Sequence, residues 1–186
     1  MEILLVVLAI LLFAVGYLIY LYNALVRARQ LAEEGWSGID VQLKRRADLI
    51  PNLVNTLRGY ATHERDTLDG VIKARNHALS VSGGDVAGRA AAEGALGQAI
   101  GRLFALAESY PDLKASENFL GMQTSLETLE REIQMARRYY NGAARELNIR
   151  IETVPSSLVA AQFGFTKKAY FEVTDASERA LPEVAF

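Results

Sequence analysis

The sequence predicts an all-α protein: one N-terminal transmembrane helix followed by an antiparallel up-and-down four-helix bundle with long, coiled-coil-like helices. Two observations carry this prediction. The first is a run of twenty uncharged residues from Ile3 to Tyr22. The second is a series of apolar stripes, spaced by three and four residues, that recur through the rest of the chain. Only four prolines interrupt the 186 residues, which leaves long stretches free to be helical.

The apolar run is long enough to cross a bilayer as one helix. About 20 residues at about 1.5 Å each span the ~30 Å hydrocarbon core, and fourteen of these twenty positions are Leu, Ile, Val or Phe. A cleaved signal peptide is the alternative. Against it, the preceding region holds Glu2 and no Lys or Arg, and the run exceeds the usual length of about 7 to 15 residues. We therefore expect an uncleaved anchor over residues 1–22.

The residues around the end of this run predict its orientation. Three tyrosines gather there, as aromatic residues do at a membrane interface, and Arg27 and Arg29 follow directly. The positive-inside rule then places the N-terminus outside and the rest of the chain in the cytoplasm. We expect a single-pass membrane protein whose first partner is the lipid bilayer. The apolar phase from Leu25 to Leu43 predicts that the anchor continues into the first bundle helix as one rod.

Composition excludes several classes of function. Twenty basic residues against twenty-two acidic ones give no electrostatic drive toward nucleic acid, and the absence of cysteine removes thiolate nucleophiles and cysteine metal sites. The sequence has no phosphate-binding glycine loop, serine-hydrolase elbow or zinc-protease motif. His63 and His77, on one predicted helix, would lie about 21 Å apart, too far to share a metal. We expect no catalytic residue, cofactor, metal or small-molecule substrate.

The strongest apolar stripe contains nine positions between Phe119 and Leu147 and predicts a helix near residues 115–150. Three weaker stripes run from Leu25 to Leu43, from Val54 to Ala78 and from Leu96 to Tyr110. Together they predict a bundle over residues 23–154. Asp85 is the expected cap of the third helix. In that helix Gly97 and Gly101 lie one turn apart, so they would allow another helix to approach closely, and its glycines should make it the weakest element.

Pro51 allows two structures. It either lies in the first turn of a new helix capped near Asp48 or kinks one continuous helix, and the apolar phase passes through it unchanged. The sequence favours a turn.

Charged residues on the second stripe indicate a polar network between helices. Continuing the spacing from Ala61 places Glu64 and Arg75 toward the interior of the bundle or its margin. An unpaired charge there would cost several kcal/mol, so partners on neighbouring helices are required. The candidate partners are Glu108, Arg137 and Asn141. The network is either a set of ion pairs that determine helix register, which we favour, or a buried functional site.

The apolar pattern changes in a C-terminal segment, residues 155–186. It contains an aromatic stretch that either packs against the bundle or covers a partner, and its last part, from Thr174 to Phe186, should be a loosely ordered tail. The aromatic residues taken as a candidate interaction surface are Phe163, Phe165, Tyr170 and Phe171.

Several motifs resemble one known family. The chain is similar to the LemA family of bacterial membrane proteins in these segments, in order: YNALVRAR (22–29), WSGIDVQLKRRADLIPNLV (36–54), GYATHE (59–64), YPDLKASENFL (110–120), ARRYYNGAARELN (136–148) and FGF (163–165). The resemblance implies an anchor with an outside N-terminus and a cytoplasmic antiparallel four-helix bundle. It supplies no enzymatic activity, cofactor or catalytic residue. Matching the motifs adds Asp40, Arg45 and Arg46 to the candidate interaction surface.

These observations lead to one functional hypothesis and two alternatives. We expect a non-enzymatic, membrane-anchored helical scaffold or adaptor at the cytoplasmic face of the bacterial inner membrane, whose partner is a second copy of the chain or another membrane protein. The main alternative is an accessory or regulatory subunit of a membrane enzyme such as a protease. An enzyme that uses a polar site around Glu64, Arg75 and Arg137 is the third and least favoured hypothesis.

Overall fold

The computed structural model describes residues 1–61 and 63–172, and every regular element in these ranges is an α-helix. The predicted all-α class is therefore confirmed. The predicted tail from Thr174 to Phe186 lies outside the described residues. The helices are α1 (Glu2–Arg58), α2 (Arg65–Ser80), α3 (Val86–Ala107), α4 (Pro111–Lys114), α5 (Glu117–Glu152) and α6 (Ser156–Gln162).

Helix α1 is continuous over 57 residues, or about 85 Å. It contains the apolar run, whose side chains are almost all exposed, and it has no break between Tyr22 and Trp36. The prediction that the apolar run continues into the following helix as one rod is confirmed. In the described part of the chain, α1 is the one helix whose length and composition suit a membrane span.

The favoured turn at Pro51 is wrong, because α1 passes through this residue. A proline inside a helix removes the N–H that would bond to the carbonyl four residues earlier, here that of Ala47. In the structure the Nε of Arg75, on α2, donates a hydrogen bond of 2.7 Å to this carbonyl. A side chain from a neighbouring helix thus replaces the missing backbone donor, which sequence periodicity does not reveal.

The first turn between helices lies at residues 59–64 and not near Pro51. Helix α1 ends at Arg58 and α2 begins at Arg65, so the predicted second helix from Val54 to Ala78 is divided between them. The amides of Tyr60 and Ala61 both bond to the carbonyl of Leu57 and close the end of α1. His63 lies in this turn and not on α2, which corrects the prediction that both histidines share one helix.

Two predictions for α3 and α5 are confirmed and one is wrong. The side chain of Asp85 accepts a hydrogen bond of 2.8 Å from the amide of Gly88, as expected of a cap, and α5 covers the helix predicted near residues 115–150. Gly97 and Gly101 do not mark a close approach, because no neighbouring atom of the described residues lies within 4 Å of a methyl group built there.

The described chain divides into two compact units. Unit 1 contains Met1–Gly38 and Ala136–Tyr170, and unit 2 contains Ile39–Met135 with Phe171 and Glu172. In unit 1, Leu21 and Leu25 of α1 pack with Val159 and Ala160 of α6, and the next cluster along α1 includes Leu147 of α5.

The core of unit 2 draws on five of the helices. Buried side chains of α1, α2, α3 and α5 meet in one cluster, to which α4 adds Leu113. The largest of them include Ile50, Leu53, Leu57, Leu68, Leu96, Leu103 and Phe119.

Within unit 1, α1 and α5 approach each other closely at Gly35. A methyl group there would lie 3.0 Å from the Cα of Tyr140 and 3.1 Å from Cδ1 of Tyr139. Beside it, the rings of Trp36 and Tyr140 pack with centroids 5.6 Å apart. Glycine at position 35 therefore permits this close approach of the two helices.

We expect Gly35→Ala to destabilise the protein by about 1–3 kcal/mol, because the backbone of α5 cannot yield as a flexible side chain would. The matched control is Gly38→Ala, one turn along the same helix, where the structure leaves the methyl group free space. It should stabilise α1 by about 0.5–1 kcal/mol. Chemical unfolding in detergent measures both changes, and equal effects of the two substitutions would contradict the close approach.

We also expect Arg75→Met to cost about 1–3 kcal/mol, because the carbonyl of Ala47 loses its donor. The cost should fall when Pro51→Ala is present as well, since an alanine at this position supplies the backbone N–H that proline lacks. A double-mutant cycle on the free energy of unfolding measures this coupling, with the exposed Lys73→Met as control. If Arg75→Met costs the same in both backgrounds, the replacement of the backbone donor by Arg75 is wrong.

Candidate functional site

The most concentrated polar chemistry in the described residues surrounds Arg46. This residue lies between Leu43 and Ile50 on the buried face of α1, and 4% of its surface is exposed. Its inclusion in the candidate interaction surface is therefore wrong. The two basic residues before it do not share its environment. Lys44 pairs with Asp48 at 2.9 Å and Arg45 pairs with Glu132 at 3.6 Å, and both pairs lie near solvent.

The guanidinium of Arg46 joins three helices. It donates 2.6 Å and 3.2 Å hydrogen bonds to the side-chain Oε2 and the backbone carbonyl of Glu93 on α3. It donates a third, of 2.5 Å, to Oε1 of Glu130 on α5. Because Arg46 itself lies on α1, this one side chain connects α1, α3 and α5.

A second arginine completes the cluster. The Nε of Arg89, one turn before Glu93 on α3, lies 3.0 Å from the other carboxylate oxygen of Glu93. The guanidinium of Arg89 also lies 3.4 Å from Asp40 of α1. Asp40 therefore belongs to the exposed margin of the cluster. We call Arg46, Arg89, Glu93, Glu130 and Asp40 the ion-pair cluster.

Burial and charge act in opposite directions on Arg46. Burial alone would lower the pKa of its guanidinium, but the carboxylates of Glu130 and Glu93 outweigh this effect and raise the pKa above its ordinary value. The side chain stays cationic. Each oxygen of Glu93 faces a guanidinium, so the carboxylate is held as an acceptor by two groups that also repel a metal cation. This arrangement is better suited to holding the helices in one register than to transferring a proton or binding a metal.

The five residues of the predicted polar network lie in separate places. Glu64 precedes α2 and is half-buried, and Glu108 is exposed at the end of α3, where it pairs with Lys114. Arg75 does reach a neighbouring helix, but its partner is the carbonyl of Ala47. Arg137 and Asn141 lie on the part of α5 that belongs to unit 1, and both are half-buried.

Sequence reasoning missed Arg89 and Glu93, although a signal exists. The third stripe, followed backward from Leu96 with spacings of three and four, reaches first Glu93 and then Arg89. Both are buried. On α1 the first stripe, extended beyond Leu43 with the same spacing, passes through Arg46 to Ile50. Arg75 was selected because it is a charge that continues an apolar stripe, and the same criterion would have selected Arg46, Arg89 and Glu93.

The aromatic stretch separates into exposed and buried residues. The ring of Phe163 packs on Tyr22 of α1 with centroids 4.8 Å apart yet stays largely exposed. Phe165 lies 5.9 Å from the same ring and under the guanidinium of Arg29 at 5.3 Å. Tyr170 is exposed, but Phe171 is buried, so its assignment to an interaction surface is wrong.

Two side chains of α5 hold the segment that follows α6. Asn148 is bonded at 2.9 Å to both the amide and the carbonyl of Lys168. The hydroxyl of Tyr140 donates a 2.7 Å hydrogen bond to the carbonyl of Ala169, and burial raises the pKa of this tyrosine. A segment without regular secondary structure is thus attached to a helix by side chains whose roles the sequence pattern does not reveal.

We expect Arg46→Met to destabilise the protein by about 3–5 kcal/mol, because it leaves the buried carboxylate of Glu93 with one partner fewer. The adjacent Arg45→Met is the matched control and should change stability by about 0.5 kcal/mol or less, since that pair is exposed. Thermal unfolding in detergent compares them. If the two variants unfold at the same temperature, the ion-pair cluster does not contribute to stability as the geometry indicates.

The comparisons with known proteins agree with the motifs. Over 168 aligned residues the chain is 29% identical to Protein LemA of Metamycoplasma hominis, covering 89% of this chain and 76% of that protein. It is 29% identical to Magnetosome protein MamQ 2 of Paramagnetospirillum magneticum, covering 88% and 69%. Identity to Magnetosome protein MamQ of Magnetospirillum gryphiswaldense is 26%, covering 84% and 66%. The LemA family model matches residues 35–186, so the chain belongs to the LemA family.

Proposed function

We propose that this protein is a non-enzymatic, membrane-anchored helical scaffold or adaptor that assembles with copies of itself at the cytoplasmic face of the bacterial inner membrane. One observation carries the proposal. The same uninterrupted helix contains a run of twenty uncharged residues, all but Leu21 exposed, and also contributes Ile50, Leu53 and Leu57 to the core of unit 2. Because α1 has no break after the apolar run, the anchor would continue directly into the buried residues of unit 1 that follow it, such as Leu25 and Ala32.

We further infer that the helices of unit 2 form an antiparallel four-helix bundle. Six residues connect α1 to α2 and five connect α2 to α3, and connections this short favour antiparallel neighbours. A single apolar cluster draws on α1, α2, α3 and α5. The bundle would present the outer faces of its long helices to a partner, because the coiled-coil-like stripe of α5, which includes Leu126, Leu129 and Ile133, is itself buried.

The chemistry of the core favours a structural role over a reaction. The buried carboxylate of Glu93 is engaged by Arg46 and Arg89, and Arg75 is engaged by a backbone carbonyl. Charges neutralised in this way hold helices in register and are not available to a substrate. The names of the three relatives specify no reaction.

The proposed orientation of the protein in the membrane follows from Arg27 and Arg29. These two residues come directly after the apolar run, and basic residues at that position favour the cytoplasmic side.

Crosslinking in intact cells tests the assembly and the orientation together. All five lysines follow the apolar run, so an amine-reactive crosslinker reports mainly on the compartment of the helical body. We expect a membrane-permeant reagent to produce species at multiples of 20.4 kDa. A membrane-impermeant reagent with the same spacer should produce them only after lysis.

Two outcomes would contradict parts of the proposal. Crosslinking by the impermeant reagent in intact cells would reverse the orientation. Recovery of a single other protein in fixed ratio, with no species made of this chain alone, would favour the accessory subunit of a membrane enzyme. Light scattering on the detergent-solubilised full chain provides the independent measure of self-association, and a strict monomer at high concentration would remove the self-assembling form of the scaffold.

A further inference from the structure

An open apolar groove of about 580 Å³ lies between α1 and α6 in unit 1. Leu18, Ile19 and Tyr22 form the wall on α1, and α6 with the residue after it contributes Leu158, Val159 and Phe163. Gln162 is the one lining residue with a polar amide. The volume lies within the range of about 300–1,000 Å³ that is typical of sites for small apolar ligands.

Helix α6 carries apolar side chains on two opposite faces. Val159 and Ala160 are buried against Leu21 and Leu25 of α1. On the opposite face Leu158 is 70% exposed, and Phe163, directly after the helix, is 62% exposed. One apolar face is thus covered by α1, while the other stays largely exposed among the described residues of unit 1, with the ring of Phe163 only partly covered by Tyr22.

The position of the groove along α1 indicates what covers it. Leu18 and Ile19 lie within one turn of Tyr22, the end of the uncharged run, so the groove opens within about 6 Å of that boundary. In the proposed membrane span this level is the edge of the hydrocarbon core. A water-soluble partner would have to displace lipid to enter, whereas the acyl chains of the adjacent phospholipids already surround these residues.

The segment after α6 follows the same change from apolar to basic that α1 shows. Phe163 and Phe165 lie against Tyr22, Phe165 also lies under Arg29, and Lys168 is 3.8 Å from Glu33 further along α1. In both α1 and the neighbouring segment after α6, apolar side chains are therefore followed along the chain by cationic ones. This pattern is typical of residues at the boundary between hydrocarbon and anionic headgroups.

We propose that α6 is a second membrane-contacting element, seated beside the anchor at the boundary between hydrocarbon and headgroups, and that a phospholipid acyl chain fills the groove between α1 and α6. This inference rests on the proposed membrane span and adds to it. Contact by α6 would fix the rotation of α1 about its own axis relative to the membrane, which a single span leaves free. The exposed face of α6 would then be buried in lipid.

The absence of cysteine makes the test direct, because a single introduced cysteine carries the only label. Full-length Leu158→Cys, labelled with the environment-sensitive fluorophore NBD, is reconstituted into vesicles of phosphatidylcholine and phosphatidylglycerol. The matched control is Met135→Cys, an exposed apolar position on α5 in unit 2. Leu8→Cys, in the middle of the apolar run, reports on the span itself.

We expect the label at position 158 to emit at shorter wavelength than the label at 135, with a several-fold smaller quenching constant for aqueous iodide. Lipids carrying a doxyl group near the headgroup should quench it more strongly than lipids with a deep doxyl group, and the reverse should hold at position 8. These results should not change when the vesicles are diluted with excess lipid.

Three outcomes would overturn the inference. Equal iodide quenching at 158 and 135, with lipid quenching retained at 8, would leave the membrane span intact and show that α6 does not contact lipid. Protection at 158 that disappears on dilution with lipid would identify a second copy of the chain as the occupant. Absence of lipid quenching at both 8 and 158 would contradict the span, and with it the proposed function.

Discussion

The continuity of α1 is the constraint on which the other features of this protein depend. A helix of 57 residues combines a stretch suited to lipid with a stretch whose inward side chains are buried against other helices. No flexible segment separates these two environments, so the side chains along one rod must change from apolar on all sides to apolar on one side. The change takes place between Leu21, the first buried residue, and Trp36, where α1 approaches α5 closely.

Continuity has a cost at Pro51 that the tertiary structure offsets. A proline in the interior of an isolated helix costs about 3 kcal/mol, because a hydrogen bond is lost and the ring strains the preceding turn. The carbonyl of Ala47 recovers a donor from Arg75, and the charge of Arg75 in turn gains an acceptor at the margin of the core. Two features that are each unfavourable alone, a proline inside a helix and a charge on an apolar stripe, therefore satisfy one another.

Much of the fold could be predicted from the sequence because its signals are local. The apolar run, the stripe of α5 and the cap at Asp85 each depend on residues within a few turns, and the structure contains all three. The candidate site was predicted less well. Arg46 and Phe171 were placed at the surface and are buried. Arg89 and Glu93 were missed although they continue the third apolar stripe, and their partners on α1 depend on which helix faces them.

By itself the sequence determined what repeats along one helix: the helical class, the apolar stretch, the apolar stripes that face inward and the motifs that relate the chain to the LemA family. Only the tertiary structure decided which partner each inward charge finds and whether Pro51 ends a helix. It also decided which glycine brings two backbones together, since Gly35 does so and Gly97 does not. The physical reason is that periodicity reports the direction of a side chain from its own helix, whereas pairing depends on groups of other helices, distant in sequence.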